Sequence, residues 1–133
     1  MDWVQKLFDG PFGESLKQTE EDRERTTREA EFIMRELQLS ADHRVLDLAC
    51  GYGRHALPLR MRGYDIVGLD ISEMMLQVGA YRAEQVGIDL PLVRGLAQHL
   101  PFDDAAFDII LNLFNSLGYM DEDGFVFVTG RLK

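Results

Sequence analysis

The stretch VLDLACGYGRH, Val45–His55, decides the architecture: an apolar run carrying one carboxylate leads into two glycines at alternate positions and then a basic pair. Arg44 to Leu48 predicts a strand, with Asp47 near its carboxyl end. Gly51 and Gly53 let the chain turn tightly and come close to a ligand, because no Cβ stands in the way. Arg54 to Arg62 predicts a helix, with Pro58 near the first turn, where a missing N–H is tolerated, and Gly63 closing it as a left-handed cap. A helix that starts just after such a turn presents unpaired N–H groups and a positive dipole end to whatever lies above the strand.

The alternation continues downstream. YDIVGLD, Tyr64–Asp70, has the β-branched centre of a buried strand and ends on an acid. Ser72 can cap a helix whose Met75, Val78, Gly79, Arg82 and Val86 share one face before Gly87 stops it. A third strand is expected around Leu92 to Arg94 and a fourth from Phe107 to Leu113. Strands alternating with helices at this spacing imply parallel pairing through right-handed crossovers, hence a doubly wound α/β fold with a mainly parallel sheet. Upstream, Gln18 to Leu39 reads as an amphipathic helix packed by Ala30, Ile33, Met34 and Leu37. Its Arg23, Arg25 and Arg28 read as a solvated face paired with neighbouring Glu residues, with contact to a bound carboxylate as the minor alternative. In the tail DEDGFVFVTGRLK, Asp121 could cap a helix or Phe125 to Val128 could form a short strand; the helix is the preferred reading.

The 133 residues, 46% of them hydrophobic, suit one globular core. Residues 1–17 are expected to form an N-terminal segment and 18–133 the domain itself. Asp and Glu outnumber Lys and Arg 23 to 14, a formal net charge of -9, and no basic cluster interleaves with aromatics. Nucleic acid is therefore not an expected partner. Cys50 is the only cysteine, so neither a disulfide nor a thiolate metal site can form within one chain, and no metal is expected. Without a signal-like N-terminus or an apolar run of membrane-spanning length, the expected location is the cytoplasm and no membrane contact is expected.

Asp70, seventeen positions after Gly53, can accept hydrogen bonds from both hydroxyls of a ribose. With the glycine turn it describes an adenosine-type ligand across the carboxyl edge of the sheet. Gly51, Gly53 and Ala56 also satisfy the dinucleotide fingerprint, which keeps an NAD-dependent oxidoreductase open. Asp47 argues the other way. A carboxylate beside a pyrophosphate is repelled, whereas one beside an ammonium and a sulfonium is attracted.

DLACGYG, followed by GLDIS and then LPFDDAAFDIILNLFNSLGY, resembles the class I S-adenosylmethionine-dependent methyltransferases over Val45 to Tyr119. The resemblance implies a Rossmann-like sheet of order 3-2-1-4-5-7-6, of which about four strands, 3-2-1-4, are recognisable here behind an N-terminal helix. It implies methyl transfer from S-adenosylmethionine, leaving S-adenosylhomocysteine, to an acceptor expected to be a small molecule. Asp47 would face the methionine ammonium, while Ala49, Gly51 and Gly53 form the turn under the methionine and ribose. Asp70 would hold the ribose hydroxyls, with Ile71 and Met75 beside the adenine. Asn112 and Leu113 match positions whose backbone meets the methionine end.

Two positions depart from the family pattern. Ala49 stands where glycine is frequent, and Leu96 stands where an acid frequently receives the adenine amino group, which leaves the Ala97 backbone or Gln98 to read that edge. His55 is read as a neutral capping or packing residue, because the helix dipole there disfavours an imidazolium. His99 and Tyr119 are the candidates for a general base where an acceptor requires one, and Phe114, Asn115 and Tyr119 for acceptor contacts. Compared with the family, the chain is expected to be truncated after strand four, leaving that strand's edge exposed for pairing, including in a homodimer. A non-catalytic cofactor-binding or interaction module is therefore the third function class, beside methyltransferase and oxidoreductase.

Overall fold

Thr19 opens the first helix. Its hydroxyl accepts the Asp22 N–H at 3.0 Å, while the Asp22 carboxylate accepts the Thr19 N–H at 3.0 Å, a reciprocal cap that satisfies two donors. The same bonds hold the Asp22 carboxyl below its ordinary value. The helix that follows, α1 (Glu20–Glu36), buries Thr26, Glu29, Ala30 and Ile33, positions three and four apart that share one face. Met34 and Leu37 lie half-buried against the same core. Arg23 pairs with Glu20 at 2.8 Å and Arg25 with Asp22 at 3.8 Å, so the exposed arginines Arg23, Arg25 and Arg28 lie on a solvated face, while Thr26 and Glu29 of the same run are buried.

The computed structural model describes Lys6, Gly10, residues 19–96 and 99–113, and the backbone of Phe125–Thr129. Most of the expected segment 1–17 lies outside the described residues. So do Ala97, Gln98, Phe114, Asn115, Tyr119 and Asp121.

Strand β1 (Arg44–Leu48) pairs in parallel with β2 (Asp65–Asp70) on one side and β4 (Ile109–Leu113) on the other, and β3 (Leu92–Arg94) pairs in parallel with β2. The order 3-2-1-4 is the one the resemblance implied. Helices α2 (Ala56–Met61) and α3 (Glu73–Gln85) make the crossovers. Both sheet faces are covered. Val45, Ile66, Ile109 and Leu111 pack with Ala30, Ile33, Ala56 and Leu59 of the helices. Leu46, Leu48, Leu69 and Ile110 face the other way, against Phe107 and the loop residues Leu100, Phe102 and Ala106. Burial on both faces explains why these strands read as continuous apolar runs.

The helix expected over Gln18–Leu39 runs over Glu20–Glu36, and other expectations change with it. Helix α2 starts at Ala56 and not at Arg54, because the Gly53 N–H bonds the Cys50 carbonyl at 3.0 Å and keeps residues 51–55 in the turn. Strand β4 starts at Ile109 and not at Phe107. In the tail, Phe125–Thr129 is not helical: it forms β5, antiparallel to β4, with Leu113 opposite Phe125 and Ile109 opposite Thr129. The unpaired backbone groups along β4 favour a strand partner over a short helix whose bonds are only local. The β4 edge is therefore covered, which removes the reason for expecting pairing with a second copy there. No helix among the described residues is long and apolar enough to cross a membrane.

Candidate functional site

The chain leaves β1 through a loop of left-handed residues: Ala49 (φ 58°), Gly51 (φ 60°) and Gly53 (φ 77°). Left-handed backbone suits glycine and strains alanine by roughly 1–2 kcal/mol, so Ala49 occupies its frequent-glycine position at a cost. The Cys50 N–H still bonds the Leu69 carbonyl at 2.9 Å, which keeps the start of the loop tied to β2.

Two neighbouring glycines make room for this loop. A Cβ on Gly68 of β2 would lie 2.7 Å from Cys50 Sγ, and one on Gly79 of α3 would lie 2.8 Å from the Tyr52 carbonyl oxygen. Neither position stood out as part of the site in the sequence, where Gly79 read only as a helix face. The Arg82 guanidinium stacks 4.6 Å from the Tyr52 ring centroid, which ties α3 to the loop a second time.

Asp70 is held from two sides. One carboxylate oxygen accepts the Gly51 N–H at 2.8 Å and the other the Ser72 N–H at 2.9 Å. Each oxygen can still accept a second donor. Ser72 also caps α3, its hydroxyl accepting the Met75 N–H at 3.2 Å. Ile71, next to Asp70 in the chain, and Leu96, just beyond β3, are 58% and 45% exposed, large apolar side chains that follow the ends of β2 and β3.

Under the loop lies a cavity of about 200 Å³ lined by Asp47, Ala49, Cys50, Gly51, Arg54, His55 and Leu113. Asp47 is only 3% exposed. Burial, and then the charge of Asp70, push its carboxyl up to about 7. Burial also keeps the Cys50 thiol protonated. A cavity whose acid is strained in its ionised form favours a cation.

Arg54 and His55 carry the largest surprise. The Arg54 guanidinium donates to both Glu29 oxygens, at 2.8 and 2.7 Å, and to Thr26 Oγ1 at 3.1 Å, while His55 Nε2 lies 2.9 Å from Glu29 Oε2. Burial opposes the Glu29 charge, but the His55 and Arg54 hydrogen bonds outweigh it and hold the carboxyl below its ordinary value. Burial lowers His55 despite Glu29, so the imidazole is neutral. His55 is a packed residue, as read, but its side chain makes no helix cap.

Of the residues singled out in the sequence, Asp47, Ala49, Gly51 and Leu113 meet at this cavity, and Asp70, Ile71, Met75 and Leu96 lie along the adjoining edge. Gly53 takes its place in the turn, where a Cβ would lie 3.2 Å from Leu90 Cδ2, and Asn112, expected to act through its backbone, sits in β4 with its side chain fully buried. His99 is exposed, its N–H bonded to the Leu96 carbonyl at 3.1 Å.

Residues 45–129 match the model of a methyltransferase domain. The chain is 37% identical over 83 residues to a demethylmenaquinone methyltransferase of Thermus thermophilus, covering 61% of this chain and 38% of that protein. It is 36% identical over 70 residues to a ubiquinone biosynthesis O-methyltransferase of Roseobacter denitrificans, covering 53% and 28%. The crystal structure of the YcgJ protein of Bacillus subtilis superposes with a TM-score of 0.61 at 29% identity, over 66% of this chain and 38% of that one. The PH0226 protein of Pyrococcus horikoshii gives 0.62 at 31%, over 70% and 40%. The chain thus spans less than two-fifths of the curated relatives named here. With a glycine loop between two fitted glycines, an acid at the end of each of the first two strands, and a match running from Val45 to Thr129, the chain belongs to the methyltransferase-domain family.

Proposed function

We propose that this chain forms the cofactor-binding part of an S-adenosylmethionine-dependent methyltransferase acting on a small-molecule acceptor. The observation that carries the reading is Asp47, a carboxylate buried in the cavity under the glycine loop and raised to about 7 by burial and by Asp70. An ammonium placed there relieves both effects, whereas a pyrophosphate adds to them. Asp70 supports the same reading, since its carboxylate is oriented by two backbone N–H groups and each oxygen has capacity left for a ribose hydroxyl. Ile71 and Leu96 supply apolar surface for a purine.

The cofactor, when bound, supplies a methyl group activated on a sulfonium. The protein's share of the chemistry is placement: Asp47 and the loop hold the amino-acid end, Asp70 holds the ribose, and the acceptor approaches in line with water excluded. A general base is needed only when the acceptor must lose a proton. A small-molecule acceptor agrees with the names of the demethylmenaquinone and ubiquinone-biosynthesis relatives and with the chain's net charge of -9, which disfavours nucleic acid.

Calorimetric titration with S-adenosylhomocysteine and, separately, with NADH tests the reading. Heat is expected for the first ligand and none for the second. Binding of NADH alone would overturn it.

A further inference from the structure

Glu29 lies on α1, outside the matched span of 45–129, yet it is 8% exposed and bonded to the two residues that leave the glycine loop. Together with Thr26 one helical turn away, it holds the Arg54 guanidinium at two nitrogens, Glu29 at Nη2 and Thr26 at Nε, while His55 donates its Nε2–H to the same carboxylate. Packing alone does not call for an acid here. The neighbours on this face, Ala30 and Ile33, are fully buried and apolar, and an apolar residue is commonly as stable as a buried ion pair. What the acid does achieve is directional: it fixes the side chains of Arg54 and His55, and both line the cavity that holds Asp47. None of Asp70, Ile71, Met75 and Leu96 lines that cavity. The grip therefore acts on one end of the site only.

We infer that Glu29, assisted by Thr26, is a positioning residue for the amino-acid end of the bound cofactor, acting through Arg54 and His55 on the wall of the cavity. Helix α1 is thereby a working part of the site. The inference rests on the cofactor reading above and adds a division of labour to it: α1 governs the amino-acid half, and the β2 edge governs the nucleoside half.

The test compares two probes on the full chain. S-adenosylhomocysteine carries the amino-acid end; 5′-methylthioadenosine lacks it. Glu29→Gln is expected to weaken S-adenosylhomocysteine binding at least fivefold while leaving 5′-methylthioadenosine within twofold. Thr26→Val, a milder change that removes only the acceptor for Arg54 Nε, is expected to show the same selectivity at about threefold. General loosening of the fold would weaken both probes together, so equal losses in both variants overturn the inference. So does an unchanged or raised S-adenosylhomocysteine affinity. If the wild-type chain binds neither probe, the cofactor reading itself fails; if it binds both and only the selectivity is missing, the fault lies with the role given to Glu29.

Discussion

At the scale of single residues, Asp47 carries the strongest consequences. Its carboxyl titrates near 7 in the folded chain, against 3.8 ordinarily. The folded state thus binds the proton more tightly than the unfolded one, and stability from this group is complete below about pH 4 and lost as pH rises through 7. Asp47→Asn is neutral at every pH, so the variant should gain stability over the wild type as pH rises from 4 to 8. The gain is bounded by about 4 kcal/mol, from a shift of roughly three pKa units. Urea denaturation at pH 5 and pH 8 measures it, and a constant difference between the two proteins would contradict the assignment. The same variant should bind S-adenosylhomocysteine more weakly. Stability and binding move in opposite directions because the site keeps an acid that the empty fold disfavours.

The linked proton offers a second measurement. At pH 7 an ammonium seated on Asp47 draws it into its ionised form, so binding should release roughly half a proton per site. Calorimetry in two buffers of different ionisation enthalpy reads that number directly. A release of zero would mean that the ligand does not reach this carboxylate.

Between elements, the decisive contact is the passage of the glycine loop over α3. Alanine is the better helix former by about 1 kcal/mol, so helix propensity alone favours Gly79→Ala. The new Cβ would lie 2.8 Å from a backbone oxygen and 3.2 Å from Leu92 Cδ1, and overpacking of this kind costs about 1–3 kcal/mol. The clash should win. The variant is expected to be less stable and to lose cofactor affinity as the loop shifts; higher stability with unchanged affinity would show that α3 can retreat freely. Thr19→Ala at the start of α1 acts on another element and should cost about 1 kcal/mol, read as a lower urea midpoint. Element boundaries were legible where the signal was local. Ser72, Gly63 and Gly87 begin or end helices through their own side chain or backbone angles, as read, whereas the Thr19 cap was not picked out of the expected helix Gln18–Leu39. The tail was not legible, because Phe125–Thr129 owes its strand to the open side of β4, a partner some sixteen residues earlier in the chain.

For the whole molecule, ligand binding and folding are one equilibrium. A ligand at about 100 times its Kd adds roughly 2.7 kcal/mol to folding stability. For a chain of this size that is a rise in Tm of roughly 10 °C. S-adenosylhomocysteine should produce that rise and NADH none, by differential scanning fluorimetry. The proposed site draws on most of the described fold: Asp47 from β1, Asp70 from β2, Leu113 from β4, Met75 and Gly79 from α3 and, by the role inferred for it, Glu29 from α1.

The sequence alone settled the presence of the first four strands, the glycine turn and the acids near the ends of the first two strands, because each depends on short-range patterns: apolar period, helix caps, glycine and the placement of a charge; the order 3-2-1-4 came from the family resemblance. Three features were decided only by the tertiary structure. Gly68 and Gly79 yield space to a loop that is distant from them in the chain, β5 covers the β4 edge, and Glu29 reaches across some twenty-five residues to grip Arg54 and His55. These are meetings between distant residues, and a local pattern carries no information about which distant atoms must share a space.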